Sequence, residues 1–180
     1  MIRIHAGKLK GQTITRPRIE STKETASMVR EAVFNSLYNI SGDVLDLFAG
    51  SGSYGFTAYS LGANHITFNE INSLAHKNLL NNISKLNLRN EVSLFKKDYL
   101  LFLKENKVVY DYIFLDPPFD FKDYLSLLNE VSLHSNDNTI IILEIDKKTN
   151  VIETFANFVL SKNKTYGSKR IVIYVNRPKL

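Results

Sequence analysis

The sequence contains no cysteine and no tryptophan, and only four of its 180 residues are prolines. The absence of cysteine excludes disulfide bonds, thiolate metal sites and a cysteine nucleophile. It also excludes methyl transfer to carbon 5 of a pyrimidine, because that reaction normally needs a thiolate to attack the ring. No apolar run approaches the ~18 residues of a membrane span, and residues 1–5 carry no apolar leader region. We therefore expect a cytoplasmic protein with no membrane partner.

Histidine is also scarce. The four histidines, at positions 5, 65, 76 and 134, are scattered along the chain without the spacing of metal ligands. We expect neither a bound metal nor a histidine acting as general base.

The overall composition is that of an ordinary globular chain. Hydrophobic residues make up 44% of the sequence and charged residues 23%, close to the average of soluble proteins. A folded chain of this size buries about 70% of its unfolded surface, which is enough for one sizeable core. We predict one domain over residues 24–180, preceded by a short segment of different character.

The excess of positive charge is confined to the first 23 residues. This segment has six basic residues and one acidic residue, whereas residues 24–180 have 17 of each sign. Its apolar residues alternate with basic or polar ones and are interrupted by Gly7 and Gly11, which predicts a small hairpin or a loose arm. Charge alone supports two interpretations equally, an arm that binds phosphate groups and a solvated tail that aids solubility. The candidate phosphate contacts are Arg3, Lys8, Lys10, Arg16 and Arg18.

Beyond residue 42, short apolar strands alternate with helical patterns. Repeated strand–helix units imply a mostly parallel sheet with right-handed crossovers and helices on both faces. Two strand-like runs, 156–160 and 170–176, have no helix between them and predict an antiparallel pair at one edge. The expected fold class is α/β and Rossmann-like, with a seven-stranded sheet. The predicted strands are 44–48, 65–69, 92–95, 110–115 and 139–144, and the predicted helices are 25–38, 55–61, 73–86, 99–105, 124–133 and roughly 149–158.

A glycine-rich loop follows the first of these strands and opens a helix. Gly50, Gly52 and Gly55 satisfy the G-x-G-x-x-G template, and Glu70 lies 20 residues after Gly50 at the end of the next strand. Small residues let a ligand approach the backbone, and a carboxylate can accept hydrogen bonds from ribose hydroxyls. A tight turn without a ligand fits less well, because the loop also contains two serines. The spacing predicts a nucleoside site.

Two nucleoside cofactors suit this loop, a dinucleotide and S-adenosylmethionine. Asp46, four residues before Gly50, favours S-adenosylmethionine, because its carboxylate would repel a pyrophosphate but attract the ammonium group of a methionine moiety. Asp98, at the end of the third strand, is placed to accept a bond from the adenine amino group, and it is equally suited to cap the next helix. The candidate cofactor set is Asp46, Phe48, Ala49, Gly50, Ser51, Gly52, Glu70, Asp98 and Tyr99.

A second motif, Asp116-Pro117-Pro118-Phe119, directly follows the fourth strand. The two prolines fix φ and remove two donors, so the backbone carbonyls here are rigid acceptors. A rigid carboxylate plus a carbonyl can accept both hydrogens of an exocyclic base amine, which favours the pyramidal nitrogen that attacks a sulfonium methyl group. Phe119 offers a face on which an unstacked base can lie. Alone the motif is usually a plain turn, but its place after a glycine loop and three strand–helix units favours catalysis.

Together the two motifs resemble the class I S-adenosylmethionine-dependent amino-methyltransferases, and more narrowly the RsmD-type methylases of bacteria. That group modifies guanine N2 in small-subunit ribosomal RNA, so the resemblance implies this reaction, with small-subunit RNA or the assembling subunit as partner. The likeness covers nearly the whole chain. Segments 3–11, 29–35 and 61–63 also resemble family signatures, and the Val-Arg-Glu-Ala-Val-Phe-Asn of 29–35 is far more specific than the loop. The resemblance does not indicate an oligomeric state.

The chain departs from that family at its first helix. Residues 23–25 read Lys-Glu-Thr where the family usually has Arg-Pro-Thr, and Ser27 and Met28 stand where Asp and Arg are common. Arg30, in the same helix, has two interpretations. It is half of a solvated Arg-Glu pair, or a guanidinium near the active-site mouth that meets RNA phosphate or the cofactor carboxylate.

Three other functions remain open on the sequence. A DNA or RNA adenine-N6 methylase also uses an Asp-Pro-Pro-aromatic corner, although the DNA enzymes usually carry a target-recognition domain for which 180 residues leave no room. An NAD(P)-dependent oxidoreductase is favoured only by the glycine spacing. A non-catalytic RNA-binding module would explain the basic segment but leave residues 116–119 unused.

Overall fold

The computed structural model describes residues 1–17, 23–37 and 39–177. Over these residues the chain forms a two-stranded hairpin, five helices and an eight-stranded sheet. In chain order the elements are β1 (Ile2–Arg3), β2 (Thr13–Ile14), α1 (Lys23–Phe34), β3 (Asp43–Asp46), α2 (Ser53–Leu61), β4 (His65–Asn69), α3 (Ser73–Lys85), β5 (Val92–Phe95), α4 (Tyr99–Glu105), β6 (Tyr110–Leu115), α5 (Tyr124–Ser132), β7 (Ser135–Asp146), β8 (Thr154–Phe155), β9 (Phe158–Tyr166) and β10 (Lys169–Asn176).

The large sheet is mostly parallel, as the sequence predicts. Its strand order is β5-β4-β3-β6-β7-β10-β9-β8, in which the first five strands are parallel and the last three antiparallel. Along the chain, successive strands are added outward from β3 to β4 and β5 on one side, and outward from β6 to β7 on the other. The adjacent strands β3 and β6 therefore form the topological switch point. Ligands of such sheets bind outside the carboxyl ends of the strands at the switch point.

Helices cover both faces of the sheet, as predicted. The alternation of side chains is visible in β3, where Val44 joins the core beneath α1, α2 and α3 while Leu45 joins the core beneath α4 and α5. Within the described ranges no helix is long and apolar enough to cross a membrane.

The predicted helix over 149–158 is wrong, and β8 forms there instead. Because β8 is an eighth strand, the predicted count of seven is wrong as well. The apolar residues Val151, Ile152, Phe155 and Phe158 have helical spacing, but all of them pack against the core beneath α4 and α5. Phe155 and Phe158 pair across a two-residue turn, and their rings stack with centroids 5.3 Å apart. Tertiary packing here overrides the local periodicity.

Other boundaries differ by a few residues. The predicted antiparallel pair is confirmed as β9 and β10, but β9 extends to Tyr166 because it pairs with β10 along its whole length. β7 begins at Ser135, four residues before the predicted start. α1 ends at Phe34 rather than at 38, and Tyr38 lies outside the described residues.

The N-terminal segment forms the predicted hairpin, in which β1 pairs with β2. Ile4 and Ile14 are 1% and 0% exposed and belong to the same core as α1 and α2. Gly7 has a φ of +79°, and a side chain at this position would lie 1.8 Å from the carbonyl oxygen of Ser60. The close approach of the hairpin to α2 therefore requires glycine. The apolar side of the hairpin is part of the fold, while the domain boundary after residue 23 stays a prediction.

Candidate active site

A cleft of about 730 Å³ opens where the carboxyl ends of β3 and β6 meet. Its walls come from the glycine loop, the ends of β4 and β5, the corner after β6, the start of β10 and the N-terminal hairpin. The lining includes Gly50, Glu70, Asp98, Asp116 and Arg3. The fold thus brings six of the nine predicted cofactor residues and all four predicted catalytic residues to one cavity.

The shape of the glycine loop depends on two left-handed residues. Gly50 and Gly52 have φ values of +54° and +79°. A side chain at Gly52 would lie 2.6 Å from Leu79 and from Phe56, whereas one at Gly50 would meet no described atom within 4 Å. The backbone at Gly50 therefore faces open space in the cleft, while Gly52 is packed against the core.

Asp46 supports this loop from beneath. It is 1% exposed, and its Oδ2 accepts the Gly55 N–H at 3.0 Å. Burial raises the pKa of Asp46 well above its usual range against the opposing effect of that bond, and the charges of Asp116 and Glu70 add to the rise. Because the carboxylate is beneath the loop, its predicted contact with a methionine ammonium group stays a prediction.

Glu70 links the glycine loop to the start of α3. Its Oε2 accepts the Gly50 N–H and its Oε1 accepts the Asn72 N–H, both at 2.7 Å. Glu70 lines the cleft and is partly exposed. The carboxylate is therefore fixed in orientation at the position where the sequence predicts a ribose contact.

Asp98 caps α4, as one of its two interpretations predicts. Its Oδ1 accepts the N–H groups of Leu100 at 2.9 Å and Leu101 at 3.3 Å. Asp98 is exposed and also lines the cleft, so its side chain is accessible to a ligand while it caps the helix.

The remaining cofactor candidates divide into two groups. Phe48, Ser51 and Tyr99 line the cleft, whereas Ala49 and Gly52 are buried within the turn. The Phe48 ring lies 5.5 Å from Tyr99 and 6.0 Å from Phe121, between ring centroids, and Tyr99 and Phe121 are 5.6 Å apart. These three rings form an apolar wall beside Asp98.

Sequence analysis missed Phe121 and Asn69. Phe121 follows the corner by two residues, a position that no template marks. Asn69 is buried at the end of β4, where its amide donates to the Lys97 carbonyl at 3.0 Å and accepts the Lys97 N–H at 3.2 Å. It ties the carboxyl ends of β4 and β5 together. A polar residue that ends an apolar strand is the signal that could have found it.

The residues of the corner after β6 differ in their exposure to solvent. Pro117 is buried, Pro118 is exposed, and Phe119 is 91% exposed. The Pro118 carbonyl accepts the Phe121 N–H at 2.9 Å. That carbonyl is therefore engaged within the turn, whereas Phe119 presents its ring to solvent at the cleft.

Asp116 stands beside two charged residues that the sequence analysis missed. Lys169 Nζ lies 3.0 Å from Glu144 Oε1 and 3.9 Å from Asp116 Oδ1. Burial and the Glu144 charge raise the pKa of Asp116 to about 7, and Lys169 opposes the rise. The Asp116 side chain keeps 39% of its surface exposed at the cleft. A lone glutamate within the apolar run of residues 140–145 was the signal for Glu144.

The predicted RNA contacts are not all in one place. Arg3, Arg16 and Arg30 line the cleft, whereas Lys8 lies over the Tyr59 ring at 5.0 Å and Lys10 is exposed on the hairpin. Arg18 lies outside the described residues.

Arg30 is not part of a solvated pair. It is 5% exposed, and its Nη2 lies 3.5 Å from the Arg3 carbonyl oxygen and 3.5 Å from Ser27 Oγ. Burial lowers its pKa, against the opposing charges of Tyr54 and Glu31. Within the described part of the chain, no three side chains of the metal-ligating types are grouped so as to hold a metal ion.

The sheet order, the glycine loop with Glu70 and the Asp-Pro-Pro-Phe corner across the same cleft define a Rossmann-like methyltransferase. The chain belongs to the family described as Conserved hypothetical protein 95, whose model matches residues 2–175, and this confirms the resemblance to RsmD-type enzymes.

Individual relatives agree with that membership. The chain is 35% identical to "Ribosomal RNA small subunit methyltransferase D" of Haemophilus influenzae, over 97% of this chain and 94% of the relative. It is 28% identical to the protein of the same name from Escherichia coli, over 96% and 89%. The solved structure of yhhF from Escherichia coli matches with a TM-score of 0.84 and 26% identity over 99% of each chain. The solved structure of a Haemophilus influenzae protein described as a methylase matches with a TM-score of 0.80 and 31% identity, over 97% of this chain and 98% of that protein.

Proposed function

We propose that this protein transfers the methyl group of S-adenosylmethionine to the exocyclic N2 amine of a guanine in small-subunit ribosomal RNA. One observation carries the proposal: the glycine loop with Glu70, and Asp116 with Phe119, line the same cleft. The names of the relatives from Haemophilus influenzae and Escherichia coli support small-subunit RNA as the substrate.

The residues around the glycine loop fit S-adenosylmethionine. Gly50 leaves open space for a ligand, Glu70 offers an oriented acceptor for ribose hydroxyls, and the rings near Asp98 offer an apolar wall for adenine. The Gly50 N–H already binds the Glu70 carboxylate, so this N–H group is not free to bind a pyrophosphate. This arrangement favours a cationic ligand over a pyrophosphate, and hence disfavours a dinucleotide. When bound, the cofactor supplies an electrophilic methyl group on a sulfonium.

The corner holds and orients the target amine. The Asp116 carboxylate accepts one amine N–H, and we assign the second bond to the Pro117 carbonyl, because the Pro118 carbonyl already accepts the Phe121 N–H. These bonds favour the pyramidal nitrogen, whose lone pair then points at the methyl carbon. With the cofactor bound, transfer would replace its S–C bond by an N–C bond to the amine, and Asp116 or water would take the proton that the methylated amine releases.

The rim of the cleft suits an extruded base on a phosphate backbone. Phe119, 91% exposed, offers its ring to the base, a contact worth about 1–3 kcal/mol. Arg3, Arg16 and Arg30 supply positive charge beside it. A base amine inside a duplex is out of reach of such a site, so the base must leave its stack before transfer.

Transfer of a labelled methyl group, followed by nucleoside analysis, tests this function. Small-subunit RNA and assembled small subunits from cells that lack the endogenous enzyme serve as parallel substrates. We expect N2-methylguanosine from at least one of them. N6-methyladenosine as the product, or no transfer to either substrate, would contradict the proposal.

A further inference from the structure

A charged network reaches the cleft from behind the Asp-Pro-Pro-Phe corner. It joins four elements: Tyr54 on α2, Glu144 on β7, Lys169 at the start of β10, and Asp116 after β6. Tyr54 donates its hydroxyl hydrogen to Glu144 Oε2 at 2.7 Å, and Lys169 Nζ lies 3.0 Å from Glu144 Oε1. Both oxygens of Glu144 therefore have partners, although its side chain is only 9% exposed. A carboxylate at such a depth is costly unless it is paired in this way.

The network contains two carboxylates and one ammonium group. Lys169 lies closer to Glu144 than to Asp116, at 3.0 Å against 3.9 Å. The Glu144 charge favours protonation of Asp116, and the Lys169 charge disfavours it. The titratable and charged groups that act on Asp116 or respond to its charge are Glu144, Lys169, Tyr54, Asp46 and Tyr124.

The position of Lys169 is set by the β9–β10 hairpin rather than by the cleft. Lys169 pairs with Tyr166 across the turn and with Asp146 of β7, while Ile171, two residues on, pairs with Glu144. Lys169 and Glu144 therefore point to the same face of adjacent strands. The lysine side chain is 40% exposed, and it lines the cleft. Lys169 is thus held by the sheet and by Glu144, and part of its side chain is exposed at the cleft.

We propose that Lys169, held in place by Glu144, is a positioning residue that favours the ionised form of the Asp116 carboxylate, the form that accepts a hydrogen bond from the target amine at either oxygen. The role in amine binding rests on the proposed function, whereas the control of the Asp116 proton does not. Only the ionised carboxylate can serve as an acceptor at both oxygens, so loss of the lysine charge increases the fraction of Asp116 in which one oxygen carries a proton and cannot accept the amine N–H.

Two substitutions should shift the pKa of Asp116 in opposite directions, which distinguishes this role from a general disruption of the site. Lys169→Met removes the cation, so the pKa of Asp116 rises and its titration moves to higher pH. Glu144→Gln removes the like charge, so the pKa of Asp116 falls and its titration moves to lower pH. An opposite charge at 4–6 Å commonly shifts a carboxyl pKa by about 1–3, and we expect a change of about one pH unit at this partly exposed site.

Carbon-13 NMR titration of the Asp116 carboxyl group measures this directly. The signal is assigned by its absence in Asp116→Asn, and the titrated proteins are wild type, Lys169→Met, Lys169→Arg and Glu144→Gln. We expect the order of titration midpoints to be Lys169→Met highest, wild type and Lys169→Arg together, and Glu144→Gln lowest. Lys169 is 40% exposed, so its two variants keep the test informative even when the buried Glu144 variant does not fold.

The acid limb of kcat/KM for methyl transfer should follow the same order. An Asp116 titration that is unchanged in Lys169→Met, or that moves to lower pH, overturns the proposal. Shifted titration without any methylation of guanine would contradict the proposed function and leave the control of Asp116 standing. Guanine methylation with an unshifted Asp116 titration would overturn the proposal for Lys169 and leave the proposed function standing.

Discussion

Three carboxylates at the carboxyl edge of the sheet are held by backbone N–H groups. Asp46 accepts from Gly55, Glu70 from Gly50 and Asn72, and Asp98 from Leu100 and Leu101. Such bonds fix the side chains before a ligand arrives, so less ordering entropy is lost on binding. Each carboxylate thus fixes the conformation of the loop or helix beside it. Glu70 and Asp98 also line the cleft, whereas Asp46 lies beneath the glycine loop.

Glu70→Ala should weaken binding of S-adenosylhomocysteine at least about tenfold. The variant loses two charge-assisted bonds to the ribose, each worth about 1.5–3 kcal/mol, and also the bond that orients Gly50. Isothermal calorimetry measures the affinity. Glu153→Ala is the matched control, since Glu153 is an exposed carboxylate that does not line the cleft. Equal affinities in the two variants would remove Glu70 from the cofactor site.

The residues that could be predicted from the sequence share one property. Glu70 and Asp116 come directly after a strand and Asp98 three residues after one, at a recognisable distance from the glycine loop. Glu144 and Lys169 could not be found in this way, because an antiparallel register between β7 and β10 brings them together across 25 residues of sequence. No local pattern specifies that register.

At the scale of elements, periodicity identified the parallel strands and most helices but failed near the end of the sheet. Residues 149–158 have a helical apolar pattern, yet the β8–β9 turn packs the same apolar side chains into the core through Phe155 and Phe158. A short apolar run is compatible with either structure, and its partners in the core decide between them. The hairpin was predicted from two glycines, but its burial was not, because charge dominates its sequence.

Ile14→Ala should lower the free energy of unfolding by about 2–5 kcal/mol, because Ile14 is fully buried in the main core. Urea denaturation measures the change. Gln12→Ala, on the exposed side of the same hairpin, is the control and should change stability by less than about 0.5 kcal/mol. If both substitutions are equally mild, the hairpin is an accessory arm that the domain does not need.

At the scale of the whole molecule, charge is unevenly placed. The net charge of +5 equals the excess carried by residues 1–23, and the hairpin brings Arg3 and Arg16 to the rim of the cleft. The acidic residues Glu70, Asp98 and Asp116 line the same cleft. In the proposed function, this arrangement separates attraction of an RNA backbone by the arginines from binding of a cationic cofactor by the carboxylates.

The double variant Arg3→Gln/Arg16→Gln should reduce the salt dependence of RNA binding. We expect the log–log slope to fall by about 0.7 for each phosphate group that the variant no longer binds. Lys8→Gln/Lys10→Gln removes the same charge from the same hairpin, away from the lining of the cleft, and should change the slope less. RNA affinity measured at several salt concentrations compares the two. Equal slopes would show that only the total charge of the hairpin matters.

The most direct test of the account compares Asp116→Ala with Asp120→Ala in single-turnover methyl transfer to small-subunit RNA. Asp120 is an exposed carboxylate four residues along that does not line the cleft. We expect Asp116→Ala to lose about 10²–10⁴ of the rate while its affinity for S-adenosylhomocysteine stays within a few-fold, because the Asp116 bond is made to the reacting amine. Asp120→Ala should retain the wild-type rate. Near wild-type turnover in Asp116→Ala would contradict the account, because the corner after β6 would then be only a turn.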